Sequence, residues 1–172
     1  SQSYLASRGI DHWSSSQRHH SGLIYPNTGE RLPVLLTAIQ RSGQLVGLHR
    51  TFLNPDGTKR DKLMLGKCKG GAAHLIGTSG PLIVAEGIET ALSLPALHQS
   101  DEGRYWSALS ANGVKSLELP QTADQLVVAA DGDPVGLAAA EELGQRAARF
   151  GWDVTLMQAP EDKDWNDMLM EQ

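Results

Sequence analysis

"DQLVVAADGDPVGLAAAEELGQRAARF", residues 124–150, runs an apolar segment into a helix-like pattern through two aspartates and a proline. The short run "LVVAA" (126–130) suits a buried strand. From Pro134 onward the spacing predicts a helix, closed by Gly151. A strand feeding a helix in this way is half of a parallel β/α unit. Asp131 and Asp133 then fall at the carboxyl end of the strand, where open α/β sheets bind their ligands. Asp133 directly before Pro134 is also a good N-cap, with proline at the first helical position. A turn that caps a helix and a seat for a divalent metal are both open here, and one residue can serve both.

Working outward, the alternation continues. "PLIVAEG" (81–87) reads as a strand, "IETALSLPALHQ" (88–99) as a helix that Pro95 ends or kinks, "RYWSALS" (104–110) and "WDVTLMQA" (152–159) as further strands. Residues 79–172 are therefore expected to form a parallel sheet with helices on its faces. The preceding part differs. "YLASRGI" (4–10) has helical composition ending at Gly9, and "DHWSSSQRHHSG" (11–22) reads as a polar loop. "LPVLLTAIQ" (32–40) and "QLVGLHRTFL" (44–53) form a hairpin across "RSG"; "NPDGTKRDK" (54–62) reads as a charged turn. "GKCKGGAAHLIGTSG" (66–80) is too glycine-rich for more than short strands. A small antiparallel sheet is expected over 1–78, with the boundary placed by composition.

With 172 residues and 40% hydrophobic content, the chain can bury a core, so disorder throughout is excluded. No apolar stretch approaches the roughly 20 residues that span a bilayer, and the polar start lacks a secretory h-region. A soluble, cytoplasmic protein is expected, and a start at Ser1 suggests a piece of something longer. The single cysteine, Cys68, excludes an internal disulfide and a cysteine-based zinc cluster. His12, His19 and His20 consequently read as exposed loop histidines. Net charge is −5, but it is divided: residues 1–78 hold 10 Lys+Arg against 4 Asp+Glu, and residues 79–172 hold 5 against 16. The first part can hold a polyanion and the second can concentrate cations, unless the two are simply differently charged surfaces of one fold.

Glu86, Asp131 and Asp133 all follow strands, and Asp164 and Asp167 reach the same edge if "APEDKDWNDML" (159–169) turns back over the sheet. Such a rim is costly without a counter-charge. Hard oxygen ligands suit Mg²⁺. Each motif alone has a plainer reading: Glu86 a solvated strand end, and "KDWND" a helix start capped by Asp164 with Trp165 and Leu169 in the core. On the basic side, Arg50, Lys59, Arg60, Lys62, Lys67 and Lys69 can neutralise phosphates of a template or nucleotide, or form a solvated hairpin. Phe52 is the one aromatic residue among them, so no base-stacking platform is expected.

"IVAEGIETALS", then "VVAADGDPVGLAAAEEL", then "KDWNDML" resembles the Toprim domain shared by DnaG-type primases, topoisomerases and small nucleases. Together with "YLASRGI", "LPVLLTAIQRSGQLVGLHRTFLNPDGTK" and "KLMLG", the chain is most similar to Toprim primase regions of phage, plasmid and mobile-element proteins. The resemblance implies a Rossmann-like Toprim sheet with a small β-rich N-terminal subdomain. It implies Glu86 as general acid or base, Asp131 and Asp133 as the metal-binding pair, and Asp164 as help for a second metal. Mg²⁺, with Mn²⁺ as a substitute, is the implied cofactor, and two such ions would lie roughly 4 Å apart. Implied partners are single-stranded DNA, ribonucleoside triphosphates, a zinc-binding module, and a helicase or relaxase portion. Bacterial replicative primases place an acidic residue four after the glutamate; here Thr90 stands there and Glu89 one earlier. Whether Asn166 or Asp167 reaches metal is likewise open. The leading expectation is a metal-dependent primase core making short RNA primers. The alternatives are a Toprim nuclease cleaving phosphodiesters, and a non-catalytic nucleic-acid-binding module of a replication or mobilisation protein.

Overall fold

The computed structural model describes residues 1–98 and 102–172, which form two sheets. Helix α1 (Gln2–Ala6) precedes a four-stranded antiparallel sheet of β1 (Gln17–Ile24), β2 (Arg31–Arg41), β3 (Gln44–Leu53) and β4 (Lys59–Gly66), paired in chain order. Ser42 (φ 49°) and Gly43 (φ 75°) turn β2 into β3, the positive-φ pair that a two-residue hairpin needs. The second sheet contains β5 (Ala73–Ile76), β6 (Leu82–Ala85), β7 (Arg104–Ser107), β8 (Gln125–Ala130) and β9 (Asp153–Gln158), in the order β5-β7-β6-β8-β9. Helices α2 (Ile88–His98), α3 (Ala111–Ser116), α4 (Pro134–Arg149) and α5 (Trp165–Met170) complete the described chain.

Strand alternation divides the core. Leu82, Val84, Leu126 and Val128 pack on one face with Val114 of α3 and Ala139, Ala140 and Leu143 of α4. Ile83, Ala85 and Ala129 face the other way, onto Ile88, Ala91 and Leu92 of α2 and Tyr4 and Leu5 of α1. Leu35, Ile39 and Leu53 of the antiparallel sheet join this second cluster, so that sheet leans on the α2 side.

Three expectations change. Residues 17–24, read as part of a polar loop, form β1, because pairing with β2 satisfies the backbone of a strand whose side chains are mostly exposed. The charged turn is confined to Asn54–Thr58, and Lys59 begins β4. Pro95 does not end α2: it lies buried inside the helix, three residues before His98, while Gln99 is outside the described residues. The four strands within 79–172 pair in parallel as expected, and β5, from the preceding part of the chain, adds antiparallel at the edge. Helix α3, not foreseen, is started by Ser110, whose hydroxyl accepts from the Gly113 N–H at 3.0 Å.

Candidate metal centre and nucleic-acid interface

The parallel register puts the ends of β6 and β8 side by side, Ala85 against Ala129. Glu86 and Asp131 therefore leave the sheet at one edge, and both line a crevice of about 10 Å³ behind the rim. The connection from β9 turns back over the same edge. Gly132 donates its N–H to the Lys163 carbonyl at 2.7 Å, Asp162 donates to the Gly132 carbonyl at 3.1 Å, and the Trp165 indole donates to the Ala130 carbonyl at 3.0 Å. Asp164 and Asp167 thereby reach the rim. Asn166, between them, is buried: its amide nitrogen donates to the Arg8 carbonyl (2.7 Å) and to the Ser93 hydroxyl (2.9 Å), tying α5 to the start of the chain and to α2, and its Oδ1 has no hydrogen-bond partner.

Burial, then the charges of Glu86, Asp164, Asp133 and Asp167, push the Asp131 carboxyl up to about 7. Its Oδ1 is buried without a hydrogen-bond partner. Glu86 is half-buried and also raised, by desolvation and by Asp133, against the opposing pull of Lys62 and an N–H from Ala111. Asp133 spends Oδ1 on the Val135 and Gly136 N–H groups at 2.8 and 2.7 Å. Asp164 and Asp167 form a reciprocal capping box, each using one oxygen. All three keep a second carboxylate oxygen for another partner.

Among the described residues, no three His, Cys, Asp or Glu side chains are drawn together tightly enough to hold an ion as they stand. The rim nevertheless has what a hard cation requires: a buried orphan carboxylate oxygen on Asp131, like charges around it, and second oxygens on three neighbours. The donor set is of the all-oxygen kind that hard divalent cations take.

The basic residues are dispersed. Lys62 is near enough to Glu86 for its charge to pull that carboxyl down, and Lys59 Nζ lies 3.7 Å from Glu89. Lys69 lines a cleft of about 380 Å³ with Met64, Cys68, Ser110 and Asn112. Arg50 stacks over Phe52, 5.7 Å from its ring centroid and on the opposite face of β3 from His49; Arg60 lies near Asp61 and Tyr25. Lys67 is exposed in the loop after β4. Which face each cation occupies depends on strand register, and no sequence signal gave it. His19 and His20 are exposed on β1, whereas half-buried His12 contacts Asp11 at 3.1 Å. Burial pushes the Cys68 thiol up, which suits an unreactive side chain. Among the described residues, no helix is long and apolar enough to cross a membrane.

Several solved structures share this fold. The primase fragment of the bacteriophage T7 primase-helicase protein matches with a TM-score of 0.58 and 15% identity, over 99% of this chain and 65% of that one. The Aquifex aeolicus primase (zinc-binding and RNA polymerase domains) gives 0.58 and 15%, over 99% and 52%. A DNA primase domain from Pseudomonas aeruginosa gives 0.50 and 16%, over 88% and 52%. The chain thus spans between half and two thirds of these structures, and the likeness is one of fold. A search of curated proteins found none similar in sequence. Residues 1–75 match the family model of a domain of unknown function, DUF7146. Residues 81–172, which carry β6 and everything after it, match the Toprim domain, and the chain belongs to that family.

Proposed function

We propose that this chain is the metal-dependent catalytic core of a DNA primase, a nucleotidyltransferase that joins ribonucleotides into short primers on single-stranded DNA. The observation that carries the reading is the convergence of Glu86, Asp131, Asp133, Asp164 and Asp167 on one rim, with Lys62 of the basic sheet near it. In this reading residues 1–78 form a basic subdomain and residues 79–172 the Toprim catalytic domain. Asp131, Asp133, Asp164 and Asp167 hold Mg²⁺, or Mn²⁺ in its place. When bound, such an ion stabilises charge on the transferred phosphorus and acidifies the attacking hydroxyl. Glu86 takes the proton from the primer 3′-hydroxyl; its raised pKa moves it toward the operating pH, where a general base works best. Lys62 neutralises phosphate beside it. Lys69 extends the basic side of the cleft and Lys59 is held by Glu89 beneath it, whereas Arg50, Arg60 and Lys67 serve only a strand that wraps the antiparallel sheet.

The similar T7 structure is a fragment of a primase-helicase and the Aquifex one carries a zinc-binding domain. A zinc-binding module and a helicase or relaxase portion are therefore the partners this reading assigns to the parent protein. Template-dependent incorporation of labelled ribonucleotides, with Mg²⁺ or Mn²⁺, tests it. Incorporation is expected from the unmodified chain and not from Asp131→Asn; equal incorporation by the two sinks the mechanism. Shortening of the polymer without incorporation would point to a Toprim nuclease. A parent protein indifferent to Glu86→Gln and Asp131→Asn would point to a binding module.

A further inference from the structure

Strands β3 and β4 pair regularly as far as Phe52 against Asp61 and then slip, so that Leu53 pairs with Lys59 and Arg60 is left over. Alternation counted from Lys62 would turn Arg60 toward α2; the bulge turns Lys59 there instead. Lys59 Nζ lies 3.7 Å from Glu89 Oε1, and the same oxygen accepts a hydrogen bond from the hydroxyl of Tyr4, a residue only 2% exposed. Glu89 thus joins three elements: α2, on which it stands one turn after Glu86, β4 through Lys59, and α1 through Tyr4. Its partners are Lys59 and Tyr4 rather than the carboxylates of the acidic rim. Burial opposes its ionisation, but the Tyr4 hydroxyl, Lys59, its own backbone N–H and His49 together outweigh burial and hold the carboxyl below its usual range.

We propose that Glu89 is a positioning residue: by binding Lys59 and Tyr4 it clamps β4 and α1 onto α2 and so fixes Lys62 near Glu86. The effect on catalysis rests on the primase reading; the clamp itself does not. A half-buried carboxylate shared by a phenol and an ammonium is not a solvated surface pair. Replacing it by an amide keeps an acceptor for Tyr4 but removes the charge that holds Lys59. The bulge is part of the device, since without it Arg60 would occupy the inward position.

The test uses the full chain and compares Glu89→Gln, Tyr4→Phe, Lys59→Met, the Glu89→Gln/Lys59→Met double variant, and the exchanged pair Glu89→Lys with Lys59→Glu. Amide hydrogen exchange should quicken about tenfold along β4 in Glu89→Gln, stay unchanged along β8, and slow again in the exchanged pair. In primer synthesis, Glu89→Gln should lower kcat while KM for the nucleotide moves less than about twofold, and the double variant should be no slower than Glu89→Gln alone. Unchanged β4 exchange in both Glu89→Gln and Tyr4→Phe, or additive losses in the double variant, would overturn the clamp. If the unmodified chain incorporates no nucleotide, the primase reading falls while exchange along β4 still decides this one. Tyr4→Phe retains the ion pair and serves as the folded comparison should Glu89→Gln unfold.

Discussion

Gly132 and Lys163 are joined by a 2.7 Å backbone hydrogen bond, the shortest of the three links that bring Asp164 and Asp167 to the rim. The approach leaves no room for a side chain: a methyl group on Gly132 would lie 1.8 Å from the Pro160 carbonyl oxygen and 2.9 Å from that of Lys163. Gly132→Ala must therefore push the 160–163 segment away from β8. It should destabilise the fold by about 2 kcal/mol, in the range of other overpacking substitutions. It should also weaken any metal response, because Asp164 and Asp167 move with the loop. Denaturant unfolding with and without Mg²⁺ checks both parts.

The raised Asp131 carboxyl gives a pH dependence of definite sign. An unfolded aspartate loses its proton at pH ~4, whereas Asp131 in the folded chain loses it at about 7. Between those values the folded state binds more protons than the unfolded one, so stability falls as pH rises. Because Asp131 is only half-buried, solvent screening reduces the effect to the order of 1–2 kcal/mol. Metal-free protein should melt lower at pH 8 than at pH 5, and Asp131→Asn should remove most of that difference. Thermal unfolding across the range measures it; an undiminished slope in the variant would put its origin elsewhere.

A divalent ion would substitute for the missing proton. Mg²⁺ or Mn²⁺ added at pH 8 should raise the melting temperature, by about 2.7 kcal/mol of stabilisation at a hundredfold excess over Kd. Asp131→Asn and Asp167→Asn should each lose the response. Asn166→Ala should keep it, since the amide nitrogen is committed to Arg8 and Ser93, yet cost about 1–3 kcal/mol by leaving the Arg8 carbonyl unpaired. A lost metal response in Asn166→Ala, with folding intact, would return Asn166 to the ligand set.

Much of this arrangement is legible in residues 81–172, where strands are short apolar runs and the acidic residues follow them directly. Leu82–Ala85 are all buried, as a continuous apolar run requires, and Asp133 before Pro134 caps α4 as expected. The polar half is less legible. Strand β1 carries serine, histidine and arginine because pairing rather than burial makes it a strand, and pairing partners are distant in sequence. Pro95 follows seven helical residues, and Ser93 bonds back to the Glu89 carbonyl at 2.8 Å, so packing carries the helix through a residue that usually ends one. Least legible were the basic residues, since one extra residue in β4 reverses which neighbour faces inward.

That reversal separates the cations by experiment. If nucleic acid or nucleotide crosses the acidic rim, Lys62 contributes directly, and Arg60, placed by Asp61 and Tyr25, does not. Lys62→Met should weaken binding of a single-stranded oligonucleotide and flatten the plot of log affinity against log salt by about 0.7 for each phosphate it no longer neutralises. Arg60→Met should leave the slope as it is. Removing Lys62 also removes the pull that opposes desolvation at Glu86, so the Glu86 carboxyl should rise further and the acidic limb of the pH–rate profile should move to higher pH. Fluorescence anisotropy at several salt concentrations, beside the pH profile, reads both effects. Equal slopes for the two variants would mean that the strand crosses the antiparallel sheet on its other face, where Arg50 and Arg60 lie.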